Sequence, residues 1–240
     1  MEPVTQTPML SVIIPLGPEE TDLGRLQGDL QLLPAGAEIL LVCCPDNQPF
    51  PHQQQISATL SRFSIKWLVS VTGRAKQLNC GTAAAKGRFL WYLHVDSGFG
   101  PLLIQNLLRN LNNQPQGFHF SPLAFAHDGP GLIKLNQWGA NLRSRWLGVP
   151  FGDQGFCLSR ENMQRLGGYP EQVAYGEDHL LLWKARQHGL VLCCGDQALL
   201  TSARKYRCKG WGKLTLLYQH LWLRQALPQW WRCLTKKGEP

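Results

Sequence analysis

Two patterns of hydrophobic and polar positions alternate along the first hundred residues. Short β-branched or continuously apolar runs predict strands, at residues 9–15, 38–44, 65–71 and 88–95. Between these runs, apolar residues at helical spacing predict helices at residues 21–33 and 75–86, and we interpret the polar, Gln-rich segment at 45–63 as a further helix. Strands that alternate with helices are typical of a parallel sheet with right-handed crossovers. We therefore predict an α/β fold.

The second half of the chain follows a less regular pattern. The spacing predicts further helices, at residues 102–111, 161–166 and 179–188. Apolar runs predict further strands, at residues 118–125, 155–158 and 190–194. Residues 133–146 fit neither pattern and receive no assignment. No internal repeat and no linker interrupts the chain.

Composition narrows the class of protein. With 240 residues, 44% hydrophobic and 17% charged, the chain is long enough to bury a core without disulfides or a metal. The longest early apolar run, residues 39–44, falls far short of the roughly 18–20 residues of a membrane span. No basic segment opens the chain, so we expect no signal peptide. The adjacent pairs Cys43-Cys44 and Cys193-Cys194 lie in apolar runs and no Cys-x-x-Cys occurs, which favours a reduced, cytoplasmic protein.

The charge is concentrated at the C-terminus. Residues 201–240 hold nine Lys and Arg against one acid, together with four Trp, whereas residues 1–200 are neutral. Basic residues beside Trp favour an anionic membrane surface, although nucleic acid would attract the same charge. If residues 213–227 are helical, Lys213, His220 and Arg224 share one face and leucines form another. The alternative is a C-terminal helix that packs on its own domain.

Polar residues follow the predicted strands where an open α/β sheet binds ligands. Gly73-Arg74 precedes a helix, so its amides and guanidinium could hold a diphosphate, or the two residues form only a turn with a solvated Arg. Asp96 follows a hydrophobic strand and could bind a divalent metal, or it lies in a turn or caps the next helix. His94 is either a second ligand or a buried histidine.

Two further segments carry polar residues of open meaning. Glu177-Asp178 stands before the helix at 179–188, where Asp is favoured as an N-cap, and the other interpretation is a general base. The turn at residues 152–155 either lines a substrate pocket or is only a turn.

Taken in order, these segments resemble the family 2 glycosyltransferases with a GT-A fold. The matching segments are residues 11–15, 38–42, 73–79, 93–97, 152–155 and 177–178. The likeness is greatest to a compact bacterial subgroup with a His-x-Asp version of the metal motif. It implies a Rossmann-like, mostly parallel central sheet with flanking helices over residues 1–207, with a nucleotide-sugar half at about 1–100 and an acceptor half at about 101–207. A basic, Trp-rich helical tail, residues 208–240, would follow.

The resemblance also implies residue roles. Asp178 corresponds to the general base, with Glu177 beside it, and Asp96 with His94 corresponds to the ligands of Mn²⁺ or Mg²⁺. The positions implied for nucleotide-sugar binding are Pro15, Cys43, Asp46, Arg74 and Asn79. Those implied for the donor-sugar and acceptor pocket are Asp153, Gln154 and Arg204. Cys43 stands where the family usually has Asp, and because a thiol accepts hydrogen bonds weakly, Asp46 is the candidate substitute.

The implied function is inverting transfer of a sugar from a nucleotide-diphospho-sugar to an acceptor hydroxyl. The basic segment at residues 204–237 extends this to a lipid or lipid-linked acceptor at the inner face of a membrane. One alternative is a catalytically degenerate protein that binds nucleotide or nucleic acid, although nucleic acid is not the favoured partner. The other is a sugar nucleotidyltransferase, which usually has a Gly-rich, basic loop after its first strand. Residues 16–20 are instead acidic.

Overall fold

A computed structural model describes residues 9–173 and 175–235 of the chain. The strands are Leu10–Leu16 (β1), Glu38–Cys43 (β2), Ser64–Val69 (β3), Phe89–Tyr92 (β4), Phe118–Phe120 (β5), Leu123–Phe125 (β6), Cys157–Ser159 (β7), Leu192–Cys194 (β8) and Leu199–Thr201 (β9). The helices are Gly24–Asp29 (α1), Gln53–Thr59 (α2), Arg74–Ala84 (α3), Pro101–Asn113 (α4), Ile133–Leu142 (α5), Arg160–Arg165 (α6), Glu177–Gln187 (α7), Arg204–Lys209 (α8) and Trp211–Thr235 (α9).

Seven strands form the central sheet in the order β3-β2-β1-β4-β7-β5-β8. The first four are parallel, β7 runs antiparallel between β4 and β5, and β8 is parallel to β5. A second sheet pairs β6 with β9 in parallel. The predicted α/β class and mostly parallel central sheet are therefore confirmed.

The sheet is covered on both faces by helices, which explains its continuous apolar strands. All six residues of β2 are buried. Along β1, Val12 and Ile14 point into a core that also holds leucines of α1 and α4. The intervening Ile13 points to the other core, built with α3, α6 and α7. Alternate residues of one strand thus stabilise two layers, as the two-residue period of a strand requires.

The second half departs from the prediction at three places. The predicted strand at 118–125 is interrupted at Pro122, which has no N–H to donate, and its two pieces lie in different sheets. The unassigned residues 133–146 form α5, continued by a π-helical turn, Arg143–Leu147. The strand β9 was not predicted, because its three residues are too short to show a period.

The C-terminal helix α9 packs against α7 rather than standing away from the domain. Leu214 and Ala226, on its inner side, are buried. Of the predicted apolar positions, Leu214 is buried, whereas Leu216, Leu217, Leu223 and Leu227 are exposed, so the helix packs on the domain through only part of its apolar surface. Within residues 9–173 and 175–235, no helix combines the length and apolar character needed to cross a membrane. Residues 236–240 of the predicted tail lie outside the described residues.

Candidate active site

The loop after β4 places Asp96 at the carboxyl end of the parallel strands. Several hydrogen bonds fix this loop: the His94 N–H donates to Ser97 Oγ at 3.1 Å, and the Phe99 N–H donates to Asp29 Oδ2 at 2.8 Å. Gly98 and Leu200 exchange two backbone hydrogen bonds of 2.9 and 2.8 Å, which join the loop to β9. The position of Asp96 is thus set by α1 and by the strand that the sequence did not reveal.

Asp178 is held by two backbone N–H groups. Its Oδ2 accepts from Gly152 at 2.6 Å and its Oδ1 from His179 at 2.8 Å. A Cβ atom on Gly152 would lie only 2.7 Å from Oδ2, so this close approach requires glycine. The interpretation of Asp178 as an N-cap is wrong, because α7 begins at Glu177 and Gly176 is the cap residue.

Arg74, the first residue of α3, lies between these two segments. Its Nη2 contacts Nε2 of His94, and its Nε lies 3.2 Å from Glu177 Oε1. Because a guanidinium only donates, His94 Nε2 is the acceptor and the imidazole is neutral. Burial lowers the pKa of His94 well below its usual value, and the nearby charges of Arg74 and Lys205 lower it further.

The carboxylates of this region are crowded. Burial raises the pKa of Asp153 to about 6, and the charges of Asp178 and Asp96 add to the increase against the opposing effect of Arg143. Burial, and then the charge of Asp178, raises the pKa of Glu177. Such shifts arise where charged groups are gathered in a partly dry space, which is typical of functional sites.

These side chains line one cavity of about 910 Å³. Its charged half comes from the β4 loop, the start of α3, the turn Gly152–Gln154 and the start of α7. Its other half is largely apolar and aromatic and comes from β6, α5, α8 and α9. A cavity of this size, with charged groups at one end and aromatic rings at the other, fits a ligand with a polar and a less polar part.

Arg143 joins the two halves. Its Cζ lies 3.7 Å from the centre of the Phe151 ring and 5.8 Å from that of Trp222, and its Nε donates to the Val149 carbonyl at 3.0 Å. Burial lowers the pKa of Arg143, while the charge of Asp153 opposes that decrease. The guanidinium is therefore a fixed positive group in the cavity wall.

Helix α9 supports the Glu177-Asp178 segment through Gln225. The side chain of Gln225 donates to the Tyr175 carbonyl at 2.9 Å, and its Oε1 lies 3.1 Å from Nδ1 of His179. Trp183 donates to Nε2 of that imidazole at 2.9 Å, so Nδ1 carries the proton and donates to Gln225. The C-terminal segment is thus part of the wall behind the candidate base.

Comparison with known proteins places this architecture. No family model matches the chain, and no curated protein matches it. Among solved structures, S. aureus TarS 1-349 in complex with UDP-GlcNAc is 15% identical, with a TM-score of 0.63 over 80% of this chain. Mannosyltransferase PcManGT from Pyrobaculum calidifontis, in complex with GDP-Man and Mn²⁺, is 18% identical with a TM-score of 0.64 over 81%. The chain has the GT-A fold.

At these identities the likeness establishes the fold. This chain spans 58% of the TarS 1-349 structure and 56% of the mannosyltransferase, so each of those proteins has segments with no counterpart here. The TarS 1-349 structure holds UDP-GlcNAc, and the mannosyltransferase structure holds GDP-Man and Mn²⁺.

The GT-A domain brings together half of the twelve predicted site residues. The six that line the cavity are Arg74, His94, Asp96, Asp153, Glu177 and Asp178. The six that do not line it are Pro15, Cys43, Asp46, Asn79, Gln154 and Arg204. The first set comes from the start of α3, the loop after β4, the turn Gly152–Gln154 and the start of α7. The second set is spread over the rest of the fold.

Three residues of the second set have structural contacts. Gln154 is fully buried and donates to the Ser121 carbonyl at 2.9 Å, so it supports the turn and does not face a ligand. Asn79 donates to the Tyr169 carbonyl at 2.9 Å and to Glu171 Oε1 at 2.8 Å, which holds the segment after α6. Cys43 lies in the core, where burial raises the pKa of its thiol to about 11.

The other three lie at the surface. Pro15 is in β1, paired with Val42, and is partly exposed. Asp46 is exposed in the turn Pro45–Asn47 after β2. Arg204 is exposed, and the next residue, Lys205, lines the cavity instead. One position of offset changes the direction of a side chain at the start of a helix such as α8.

Several cavity residues escaped the sequence analysis. Arg143 lies within the stretch that received no assignment, Phe151 and Tyr206 lie outside the segments singled out, and Tyr218 and Trp222 belong to the segment interpreted as a tail. The signal that could have found the last group is its spacing. Positions 211, 215, 218, 222 and 225 fall on one helical face, and all five line the cavity.

The residues present fit a divalent cation that takes most of its ligands from a diphosphate and water. Asp96 supplies a carboxylate, the hard oxygen ligand that Mg²⁺ and Mn²⁺ prefer. His94 Nδ1 lies 4.0 Å from Asp96 Oδ1, and because Nε2 accepts from Arg74, Nδ1 carries the proton in this arrangement and offers no lone pair to a cation. In the part of the chain that the structure describes, no group of three or more His, Cys, Asp or Glu could hold a metal by protein ligands alone.

Proposed function

We propose that the chain is an inverting glycosyltransferase of the family 2 type, which transfers a sugar from a nucleotide-diphospho-sugar to an acceptor hydroxyl. The observation that carries this proposal is the shared cavity of Asp96 and Asp178, with Arg74 in contact with both His94 and Glu177. A degenerate protein would have no need to keep these carboxylates together, since burial and their mutual repulsion raise the free energy of the charged forms. The nucleotide-sugars bound in TarS 1-349 and in the mannosyltransferase support a nucleotide-sugar as the donor.

Asp178 is the proposed base. Each of its oxygens accepts one backbone hydrogen bond, which leaves further lone pairs for an acceptor hydroxyl. As the hydroxyl oxygen forms its bond to the anomeric carbon, its proton passes to Asp178. The bond from that carbon to the diphosphate oxygen breaks, and the sugar passes through an oxocarbenium-like state. The nucleoside diphosphate leaves with the electron pair.

Arg74 and Lys205 are proposed to face the diphosphate. Arg74 stands at the N-terminus of α3, an 11-residue helix whose first amides also favour an anion. A divalent metal held by Asp96, with His94 beside it, would offset charge on the leaving group. The nucleoside is proposed to lie at the ends of β1 and β2, near Pro15, Cys43 and Asp46.

The same proposal divides the domain into a donor half, about residues 1–100, and an acceptor half, about residues 101–207. We add α9 to the acceptor half, because its inner face forms part of the cavity wall. A lipid or lipid-linked acceptor and a peripheral position on the inner face of a membrane, in the cytoplasm, complete the proposal. Its support is the exposed outer side of α9, where Lys213, His220 and Arg224 lie.

The test begins with thermal unfolding of the full chain in UDP- and GDP-sugars, with and without Mn²⁺, since a ligand that binds the folded state raises its stability. We expect one donor class to stabilise the protein more when the metal is present. With that donor, Asp178→Asn should abolish transfer and leave donor binding intact. Asp96→Asn should instead remove the metal-dependent part of the binding.

Glu161→Gln is the matched control, since this carboxylate is exposed in α6 and lies outside the cavity. It should change neither binding nor transfer. Transfer by Asp178→Asn at the wild-type rate would refute the assignment of the base. Failure of every nucleotide sugar to bind would favour the degenerate alternative.

A further inference from the structure

Helix α5 presents an apolar stripe to solvent. The stripe consists of Leu135, Trp138, Leu142 and Trp146, spaced three, four and four residues apart, and we call it the α5 stripe. These side chains are 57%, 66%, 42% and 80% exposed. An α-helix turns about 100° per residue, so this spacing keeps Leu135, Trp138 and Leu142 on one side of α5, and Trp146 follows four residues later in the π-helical turn Arg143–Leu147. Isolated exposed leucines are ordinary, but a continuous row of large apolar side chains marks an interaction surface.

The α5 stripe lies beside the mouth of the cavity. Asn136, Gly139 and Arg143 of the adjacent side of the helix line the cavity, and so does Leu135, which belongs to the stripe as well. Trp138, Leu142 and Trp146 do not line it. Whatever covers the stripe therefore also borders the entrance of the candidate active site.

The outer side of α9 has the same character. Leu216, Leu223 and Leu227, spaced seven and four apart, are 73%, 43% and 60% exposed. The exposed Lys213 and Arg224 accompany them on that side. The two helices are in contact, since Asn136 Nδ2 donates to Thr215 Oγ1 at 2.9 Å. Two neighbouring helices therefore combine exposed leucines or tryptophans with basic residues.

The charge of these segments is of one sign. No Asp or Glu occurs in residues 129–152 or 197–238, yet the two segments hold 12 of the 24 Lys and Arg. The remainder of the chain has 12 basic residues against 16 acidic ones. The partner that covers this region is therefore anionic. A second copy of the chain would set positive charge against positive charge, and nucleic acid would leave the leucines without a partner.

We propose that the α5 stripe, together with the outer side of α9, docks on an anionic lipid bilayer. The indoles and leucines enter the headgroup region, where Trp is favoured, and the basic residues face the lipid phosphates. Docking brings the mouth of the cavity to the lipid surface. Entry of a lipid-borne hydroxyl into the cavity as the acceptor rests on the proposed function. Docking on the bilayer does not depend on the transfer reaction.

The experiment is flotation of the full chain with vesicles of phosphatidylcholine alone or mixed with phosphatidylglycerol. We expect binding at least about tenfold stronger to the mixed vesicles, since each Lys or Arg near an anionic surface contributes about 1 kcal/mol. Salt should weaken this difference. The double variant Trp138→Ser/Trp146→Ser should lose about tenfold or more of the vesicle affinity, because two indoles leave the interface.

Leu102→Ser is the matched control, since Leu102 is 61% exposed at the start of α4 and lies outside the cavity. It should bind vesicles as the wild type does. Vesicle binding unchanged by the double variant would overturn the proposal. A second result would also overturn it. In that case the wild type binds no vesicles but forms concentration-dependent dimers or binds an oligonucleotide in a salt-sensitive way, and the double variant abolishes that association.

Donor binding without vesicles keeps the two proposals apart. We expect Trp138→Ser/Trp146→Ser to bind a nucleotide sugar as the wild type does, because neither indole lines the cavity. A chain that binds vesicles but no donor would retain the docking surface and refute the proposed function. A chain that binds donor but no vesicles would retain the proposed transfer reaction and refute the docking surface, together with the membrane position included in the proposed function.

Discussion

Polar residues have different roles at two places along the edge of the sheet where the parallel strands end. Where β1 and β2 end, buried amides hold the backbone: Gln77 Nε2 donates to the Leu16 and Val42 carbonyls, both at 2.7 Å. Asn47 Nδ2 donates to two carbonyls of the loop after β1, both at 2.8 Å. Where β4 and β7 meet the start of α7, charged side chains such as Asp153 and Asp178 instead share a cavity.

The difference separates stability from chemistry. Both donors of the Gln77 amide group are paired with backbone carbonyls, so removing this side chain leaves buried acceptors unsatisfied. In the cavity, burial and then the charge of Asp178 raise the pKa values of Asp153 and Glu177, so keeping these groups ionised costs free energy. Substitutions at the first place should therefore lower stability, and those at the second should lower activity.

Among the substitutions that compare the two regions, Gly152→Ala has the largest expected effect on the transfer rate, because this turn approaches both Asp178 and Arg74. A Cβ here would lie 2.7 Å from Asp178 Oδ2 and 3.0 Å from Arg74 Nη2. Gly152→Ala should displace both groups and lower the transfer rate about 100-fold, the usual result of a misplacement near 1 Å. Steady-state kinetics with the donor found by thermal unfolding would measure it. Gly28→Ala is the control, since nothing lies within 4 Å of its added methyl, and equal rates for both variants would contradict the expectation.

The next effect concerns stability. Gln77→Met keeps the side-chain length but removes both hydrogen bonds, so the free energy of unfolding should fall by about 3 kcal/mol. Urea unfolding would measure it, and the transfer rate per folded molecule should stay close to that of the wild type. The control is Gln105→Met on the exposed side of α4, with an expected change below about 0.5 kcal/mol. A large loss of rate without loss of stability would reverse the contrast between the two regions.

The predicted fold agrees well with the structure because its strongest signals are local. β1, β2 and β4 are apolar runs with helices between them, and such strand–helix units predict the parallel pairing that these strands show. The elements that were not predicted depend on contacts between residues far apart in the sequence. Three-residue β9 exists because it pairs with β6 and with Gly98 of the loop after β4, and nothing in its own residues indicates this.

The residues of the candidate site were predictable where they stand after the end of a strand or at the start of a helix. Asp96 and Asp178 are of this kind, and both line the cavity. Gln154 and Asn79 have the right residue type in the right segment, yet their amides bond to backbone carbonyls. An amide serves a ligand and a carbonyl equally well, so the sequence alone cannot separate the two uses.

A third prediction uses the pH dependence of stability. The pKa of Asp153 is about 6 when folded, above the ordinary value of 3.8, so the folded state keeps a proton that the unfolded state loses. Stability should therefore fall as the pH rises from 4 to 6 and then level off. Asp153→Asn should reduce this loss by about 2 kcal/mol, an amount discounted for coupling to Asp178. Urea unfolding at pH 4 and pH 7 would measure it, with Asp46→Asn as the exposed control.

The smallest effect is expected behind the cavity wall. Gln225→Met removes the hydrogen bonds to His179 and to the Tyr175 carbonyl, while packing is largely kept. Because these bonds hold the segment that carries Asp178, kcat should fall about fivefold, equivalent to about 1 kcal/mol, with little change in donor KM. Gln229→Met, which removes one bond from α9 to Gln187, should leave kcat unchanged. If both variants behave alike, α9 supports the fold in general and not the base. The boundary between the stabilising and the reactive regions then lies nearer to Asp178 than the contacts of Gln225 indicate.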